Sequence, residues 1–388
     1  MMRSSLFGRR IHITGSIDQD PSIASADAVN AARDLITELV KQLMQKGATF
    51  VVPVDAEPLR SEDGLPICFD WLVWEAISNN IVRRPNEAPM PLAVAVQHHK
   101  TEEQIPEQFQ GLWDSLRESD FVKIENAAEW NMASKRMEAQ ARWGDILIIL
   151  GGSEGALFLA NLYHEAGKPV IPLNLPLCKQ TTGARKLFSY GLNSTITKRL
   201  FNTSGAMDAH AWLNRINFPE RKPTSERVPI LVDLLESLDR PKAFAIRLLN
   251  PEHADFVDVQ NFFETVVQPI VSQELGYDLV TIDGNHIYEN ASVVQEIFGN
   301  LHKSSIVIAD ITGMRPNCFI ELGYALGRNI STMLTAKKGT EHPFDVSVFS
   351  GHHWIPDGIA SDRQREFQKH WNAIKNRAPL IPEEPLIP

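Results

Sequence analysis

The stretch of the 388-residue chain best placed to do chemistry runs from Asp310 through Thr312 and Asn317 to Glu321. Asp310 follows the apolar run 305–309, so it stands at the carboxyl end of a buried strand, where ligands sit in open α/β sheets. Thr312 and Asn317 are small polar residues suited to capping the next helix. Glu321 falls one turn inside that helix among Ile320, Leu322, Tyr324 and Ala325, which leave it no solvated stripe. The helix dipole favours its ionised form. A fixed carboxylate there suits acid–base or charge-stabilising work, although carboxylates in such places also serve as caps and ion-pair partners.

A second group suits an anion. Gly151, Gly152 and Gly155 let backbone approach a phosphate, Ser153 adds a hydroxyl, and the following helix start offers unpaired N–H groups. Arg136 and Arg142, with Lys135, lie on the preceding helix and are expected to bring positive charge to the same edge. A plain strand–helix turn would use the same glycines, so this reading stays open beside the cradle. The pairs His98-His99 and His352-His353 lack structural-zinc spacing, and no metal site is expected. No Gly-x-Ser-x-Gly elbow occurs.

The elements that position these groups alternate. A strand at 11–14 stops at Gly15-Ser16, a helix spans 25–46, and a strand returns at 49–54. Residues 55–130 read as an elaboration with short helices and a strand near 92–96. A helix at 131–143, the apolar strand 145–150, a helix at 156–166 and a strand at 169–173 follow. Prolines 219, 223, 229 and 241 mark a boundary containing one helix, 230–238. Strands at 243–246, 279–282, 305–309 and 330–334 then alternate with helices at 255–274, 292–302 and 318–326. The expected fold class is α/β, with two Rossmann-like (flavodoxin-like) parallel-sheet domains in tandem. The boundaries expected are 1–220, a linker at 221–241, and 242–388. The proline-rich end, 379–388, reads as a surface extension.

Thirty-eight Lys and Arg against 48 Asp and Glu give a formal charge of -10, which disfavours general binding to nucleic acid. Three dispersed cysteines form no disulfide scaffold, and the apolar run 146–163 is broken by Gly151, Gly152 and Glu154. The expectation is a cytoplasmic protein with no membrane span and no direct nucleic-acid partner.

The N-terminal text resembles the SLOG superfamily, on Ile13-Thr14-Gly15-Ser16, the helix bearing Lys135, Arg136 and Arg142, and the Asp145–Gly155 stretch. In the hydrolase branch of that superfamily a carboxylate pair follows the glycine turn. Here Ala156-Leu157-Phe158 stands instead, with Glu154 inside the turn. The resemblance therefore implies the branch associated with sirtuin and TIR domains in bacterial defence. Gly15, Ser16, Arg136, Arg142, Gly151, Gly152, Ser153 and Gly155 would hold a nucleotide signal, a cyclic ADP-ribose isomer or cyclic oligonucleotide.

From 243 to 334 the chain resembles the nucleoside 2-deoxyribosyltransferase-like family, related to TIR domains. The text that carries this is Arg247 and Asn250 after the first strand, Phe256, Asp283 after the second strand, the Asp310–Gly323 stretch, and Pro343-Phe344-Asp345. The resemblance implies Glu321 at the anomeric carbon, Asp310 and Asn317 on ribose hydroxyls, and Arg247, Asn250, Asp283, Thr312 and Asp345 around the substrate. Ile320 replaces the aromatic residue that often precedes the glutamate. The implied function is a signal-gated NAD+ hydrolase in anti-phage defence, with NAD+ as substrate, no prosthetic group, and homo-oligomeric assembly. The alternatives are an ungated nucleoside deoxyribosyltransferase or N-glycosidase, and a non-catalytic nucleotide-binding module.

Overall fold

Runs of β-branched and leucine residues too apolar for a one-sided sheet become strands covered on both faces. The computed structural model describes residues 4–98, 100–128, 133–203, 207–282, 293–341 and 351–375. They group into two compact units divided between Asp239 and Arg240.

In the first unit six strands, β1 (Arg10–Ser16), β2 (Thr49–Pro53), β3 (Ala93–His98), β4 (Val122–Ala128), β5 (Ile146–Gly151) and β6 (Val170–Leu173), form one parallel sheet. The order β4-β3-β2-β1-β5-β6 puts a topological switch point between the carboxyl ends of β1 and β5. Alternate residues face opposite layers. Val51, Val94 and Val96 pack with Ala139 and Trp143 of the helix Ala133–Trp143. Phe50, Val52, Ala93 and Ala95 join the main core with Ala26–Gln45 and Asp70–Ser78. Ser25 caps the first of these, its hydroxyl accepting from the Ala28 N–H.

The second unit has five parallel strands, β7 (Lys242–Ile246), β8 (Asp278–Val280), β9 (Ile306–Asp310), β10 (Ser331–Lys337) and β11 (Gly351–Trp354). Their order is β11-β10-β9-β7-β8, with the switch point between β7 and β9. The helical run from Phe256 to Glu274 widens into π turns at Phe263–Val267 and Pro269–Glu274. Pro269 has no N–H for the Thr265 carbonyl, and that oxygen instead accepts from Gln364 Nε2 at 2.8 Å.

Two parallel sheets with helices between the strands bear out the α/β tandem reading. Several boundaries differ. The 55–130 stretch also holds the edge strand β4, and β11 and the helix Ala360–Lys375 follow β10. The helix Thr224–Ser237 lies inside the expected linker. Its Val228, Leu231, Val232, Leu234 and Leu235 are buried in the first core, so that stretch is part of the first unit. Pro229 sits within this helix, an exception to its usual role as a breaker. Among the described residues no helix is long and apolar enough to cross a membrane.

One buried polar pair gives the first unit a pH signature. His12, fully buried in β1, bonds the Tyr163 hydroxyl through Nδ1 at 3.0 Å, and that hydroxyl donates to the Gln140 carbonyl at 3.0 Å. Burial lowers His12 to about 3. Below the ordinary histidine value the unfolded chain takes up a proton that the folded chain refuses. Stability is therefore lost as pH falls from about 6.5 toward 3. In His12→Gln, the slope of unfolding free energy between pH 6 and 4 should flatten by about 1.4 kcal/mol per pH unit, read by urea titration. An unchanged slope would show that His12 is not the group responsible.

Candidate functional site

In the second unit the crevice at the β7–β9 switch point has two lips. One is the loop after β7, and the other is the turn at 312–315, which opens the helix Pro316–Gly327. Gly313 adopts φ +80°, and a Cβ there would stand 3.0 Å from the imidazole of His253 across the crevice. Met314 is also left-handed, at φ +52°, so two such residues in succession turn the chain into the helix. Cys318 donates from Sγ to the Arg247 carbonyl at 3.7 Å and ties the helix start to the end of β7. Pro316 occupies the first turn, where a missing N–H costs nothing.

Glu321 is half-buried and makes no hydrogen bond or ion pair among the described residues. Burial alone pushes its carboxyl up to about 7. At neutral pH both of its protonation states are therefore populated, as acid–base work requires. Asn317 is exposed one turn earlier on the same helix.

The other expected contacts are placed differently. Asp310 is fully buried, and both oxygens are taken by the protein. Oδ1 accepts from the Thr312 N–H at 3.1 Å, while Oδ2 accepts from Thr335 Oγ1 and Trp354 Nε1, each at 2.8 Å. Burial raises its pKa, against the opposing effect of those donors. The side chain turns in among β9, β10 and β11, so Asp310 is an anchor of the sheet edge and not a ribose contact. Thr312 is likewise buried, its hydroxyl accepting from the Lys337 N–H at 2.9 Å. Arg247 lies with its guanidinium carbon 5.1 Å from the centre of the Phe263 ring. Asn250 shapes its own loop, its Oδ1 accepting from Glu252 N–H at 3.3 Å and its carbonyl from His253 N–H at 3.1 Å. Asp283 and Asp345 lie outside the described residues.

The same edge carries groups the sequence did not single out. Lys337, at the end of β10, bridges Asp255 at 2.8 Å and Asp258 at 2.6 Å. His253 Nδ1 accepts from the Asp255 N–H at 3.2 Å, which leaves Nε2 as the protonated nitrogen facing Gly313. These partners come from three separate elements, and only the parallel order of the strands brings them together.

In the first unit the glycines are consumed by packing. A Cβ on Gly15 would lie 1.8 Å from the Leu150 carbonyl oxygen, and one on Gly151 2.2 Å from the Ser16 carbonyl oxygen. The Gly152 N–H donates to the Ser16 carbonyl at 2.7 Å. Gly183, at φ +49°, sits over the turn so closely that a Cβ would lie 2.2 Å from the carbonyl oxygens of both Gly151 and Gly152. Ile17 N–H donates to Ile67 and Asp18 N–H to Leu177, so neighbouring loops close over the strand ends. Ser153 and Glu154 remain exposed at the helix start, and Gly155 packs near Met137. Gly15→Ala should therefore force β1 from β5 and lower stability by about 3 kcal/mol or more in a thermal or urea melt. An unchanged midpoint would contradict the packing role.

Arg142 is not on this edge. The helix Ala133–Trp143 runs antiparallel to the strands, so its last turn lies at the amino ends. There Arg142 pairs with Glu125 at 2.6 Å, and Lys168 donates to its carbonyl at 2.9 Å. Nearby, Arg10 and Lys123 flank the Trp143 ring, at 4.8 and 4.2 Å from its centroid. Arg136, about two turns before the helix end at Trp143, does reach the carboxyl edge and pairs with Asp55.

Among solved structures, the X-ray structure of TM1055 is similar at 18% identity and a TM-score of 0.27, covering 47% of this chain and 81% of that one. No curated protein matches the sequence. Residues 6–235, more than half of the chain and the whole of the first sheet, match the family described as ATP nucleosidase Cap17-like, N-terminal; the chain belongs to that family.

Proposed function

We propose that the chain hydrolyses the N-glycosidic bond of a nucleotide, with Glu321 as the reacting carboxylate. The observation that carries this reading is a half-buried carboxylate without a partner among the described residues, one helical turn past a switch-point crevice. As the base departs, positive charge grows on the ribosyl carbon, and a fixed carboxylate stabilises it. The C1′–N bond breaks, water supplies hydroxide to C1′, and the remaining proton goes to solvent or to the base.

NAD+ is the first substrate we put forward. Nicotinamide leaves as a neutral base without protonation, so an ionised Glu321 suffices. The family description supports a second substrate, ATP. Adenine needs a proton to leave, which the protonated form of Glu321 would supply. In both cases the first unit is the sensor, binding a cyclic ADP-ribose isomer or a cyclic oligonucleotide and gating the second unit in a homo-oligomer. Loss of the cellular nucleotide would make the protein an anti-phage effector. Asn317, Arg247, Asn250, Asp283 and Asp345 are proposed to line the substrate.

The test is to incubate the full chain with NAD+ or ATP, with and without each class of cyclic nucleotide, and separate the products. Nicotinamide or adenine release that disappears in Glu321→Gln supports the reading. Release that survives that substitution overturns it.

A further inference from the structure

Polar groups besides Arg136 and Ser16 gather at the carboxyl ends of β1–β3, among them His98 of the pair that lacks zinc spacing. Asp55 follows β2 and pairs with Arg136, whose side chain is 13% exposed. His98, at the end of β3, is fully buried. Its Nδ1 accepts from the Lys100 N–H at 3.1 Å, which directs Nε2 toward Asp55 Oδ1, 3.6 Å away. Asp70 opens the helix Asp70–Ser78 on the other face of the sheet. Its Oδ1 is buried and has no hydrogen-bond partner among the described residues. Cys68 pairs with Ser16 in an isolated antiparallel bridge, which brings this cluster to the end of β1.

Neighbouring groups hold the cluster in place. Arg60, fully buried, donates to the Ala24 carbonyl at 2.7 Å and the Asp18 carbonyl at 3.2 Å and pairs with Asp63, fixing the loop between β2 and Asp70. Trp71 Nε1 donates to the Asp55 carbonyl at 2.9 Å, and its ring stacks on Phe109 at 4.7 Å. Burial, and then the charge of Asp55, push Asp70 up to about 7, with Arg136 opposing. A buried carboxylate oxygen placed beside another carboxylate, with no donor among the described residues, is costly to keep unless something supplies one.

We infer that this edge of the first unit is a nucleoside-recognition site, in which Asp55 and Asp70 receive the hydroxyl and amine donors of a ribosyl–base ligand. This rests on the proposed sensor role of the first unit and names its site. The glycine turn cannot serve in its place, because the Gly152 N–H is already donated and Gly183 covers the turn. The chemistry also selects against a bare anion, since two carboxylates outnumber the one guanidinium, Arg136, which is paired to one of them.

The test uses the full chain and ADP-ribose as the probe, with inorganic phosphate as the anion control, in calorimetric titrations. The wild type is expected to bind ADP-ribose and not phosphate. Asp70→Asn, which keeps the shape of the side chain, should weaken this site at least tenfold, or remove one binding equivalent where the second unit also binds the probe. Asp55→Asn should do the same, and Ser153→Ala should leave the titration unchanged. Thermal midpoints of Asp70→Asn at or above the wild type would show that the fold is intact. Wild-type affinity and stoichiometry in Asp70→Asn, no ADP-ribose binding by the wild type, or binding of phosphate by the wild type that competes with ADP-ribose at this site would each overturn the inference. Turnover by Glu321→Gln would sink the catalytic reading and leave this one standing, because the titration does not depend on catalysis.

Discussion

Glu321→Gln is expected to lower nicotinamide release from NAD+ by about 10³-fold while KM changes little, since the amide keeps the shape and loses the charge. The pH profile carries the second half of this prediction. Glu321 is pushed up to about 7 by burial, so at pH 5 nearly all of it is protonated. If the ionised form stabilises the ribosyl cation, kcat should rise about tenfold per pH unit below pH 7 and level off above it. Glu321→Asp should not restore the rate, because the shorter side chain draws the carboxylate back toward the helix axis. The measurement is single-turnover release of nicotinamide from pH 5 to 9. A rate that instead rises on acidification, with adenine as the product, would assign Glu321 as the acid and favour ATP as substrate.

What the sequence disclosed depended on how far apart the cooperating residues lie. β5 and β9 were legible because continuous apolar runs have one reading once bounded by turns, and the Glu321 helix because an ionisable residue stands out among apolar neighbours. β4 was hidden by Lys123, Glu125 and Asn126, polar residues tolerated in an edge strand, and β11 by its two histidines. The sequence alone shortens the helix Thr224–Ser237 because Pro229 normally ends a helix, whereas here the buried leucine and valine face outweighs one lost hydrogen bond.

Site residues divide in the same way. Arg136 and Arg142 looked equivalent because the sequence places them on one helix, yet the length of that helix puts them toward opposite edges of the sheet. Gly15, Gly151 and Gly152 have a composition compatible with both a phosphate cradle and close backbone packing, and only Gly183, thirty-odd positions along the chain, shows which contacts they make. Asp255, Asp258 and Lys337 meet because β7 and β10 lie on either side of β9, an order no local pattern contains.

Asp310→Ala is expected to produce the largest loss of stability in the second unit, about 3–5 kcal/mol. The carboxylate satisfies the Thr312 N–H, the Thr335 hydroxyl and the Trp354 indole N–H, and all these groups are buried. Its removal leaves donors that water cannot reach and a space beside Trp354, whose ring stacks on Phe262 at 4.5 Å. The desolvation of Asp310 itself works the other way, since an uncompensated buried charge is costly, and this keeps the net loss below the sum of the three hydrogen bonds. Asp310→Asn separates the two effects. It relieves the charge and retains one acceptor oxygen, but sets an amide N–H₂ against the Trp354 or Thr312 donor, so a loss of about 1–2 kcal/mol is expected. Urea unfolding followed by indole fluorescence measures both variants. If Asp310→Ala were no worse than Asp310→Asn, the three donors would have found other partners, and the carboxylate would be free for the ribose contact that its place at the strand end first suggested.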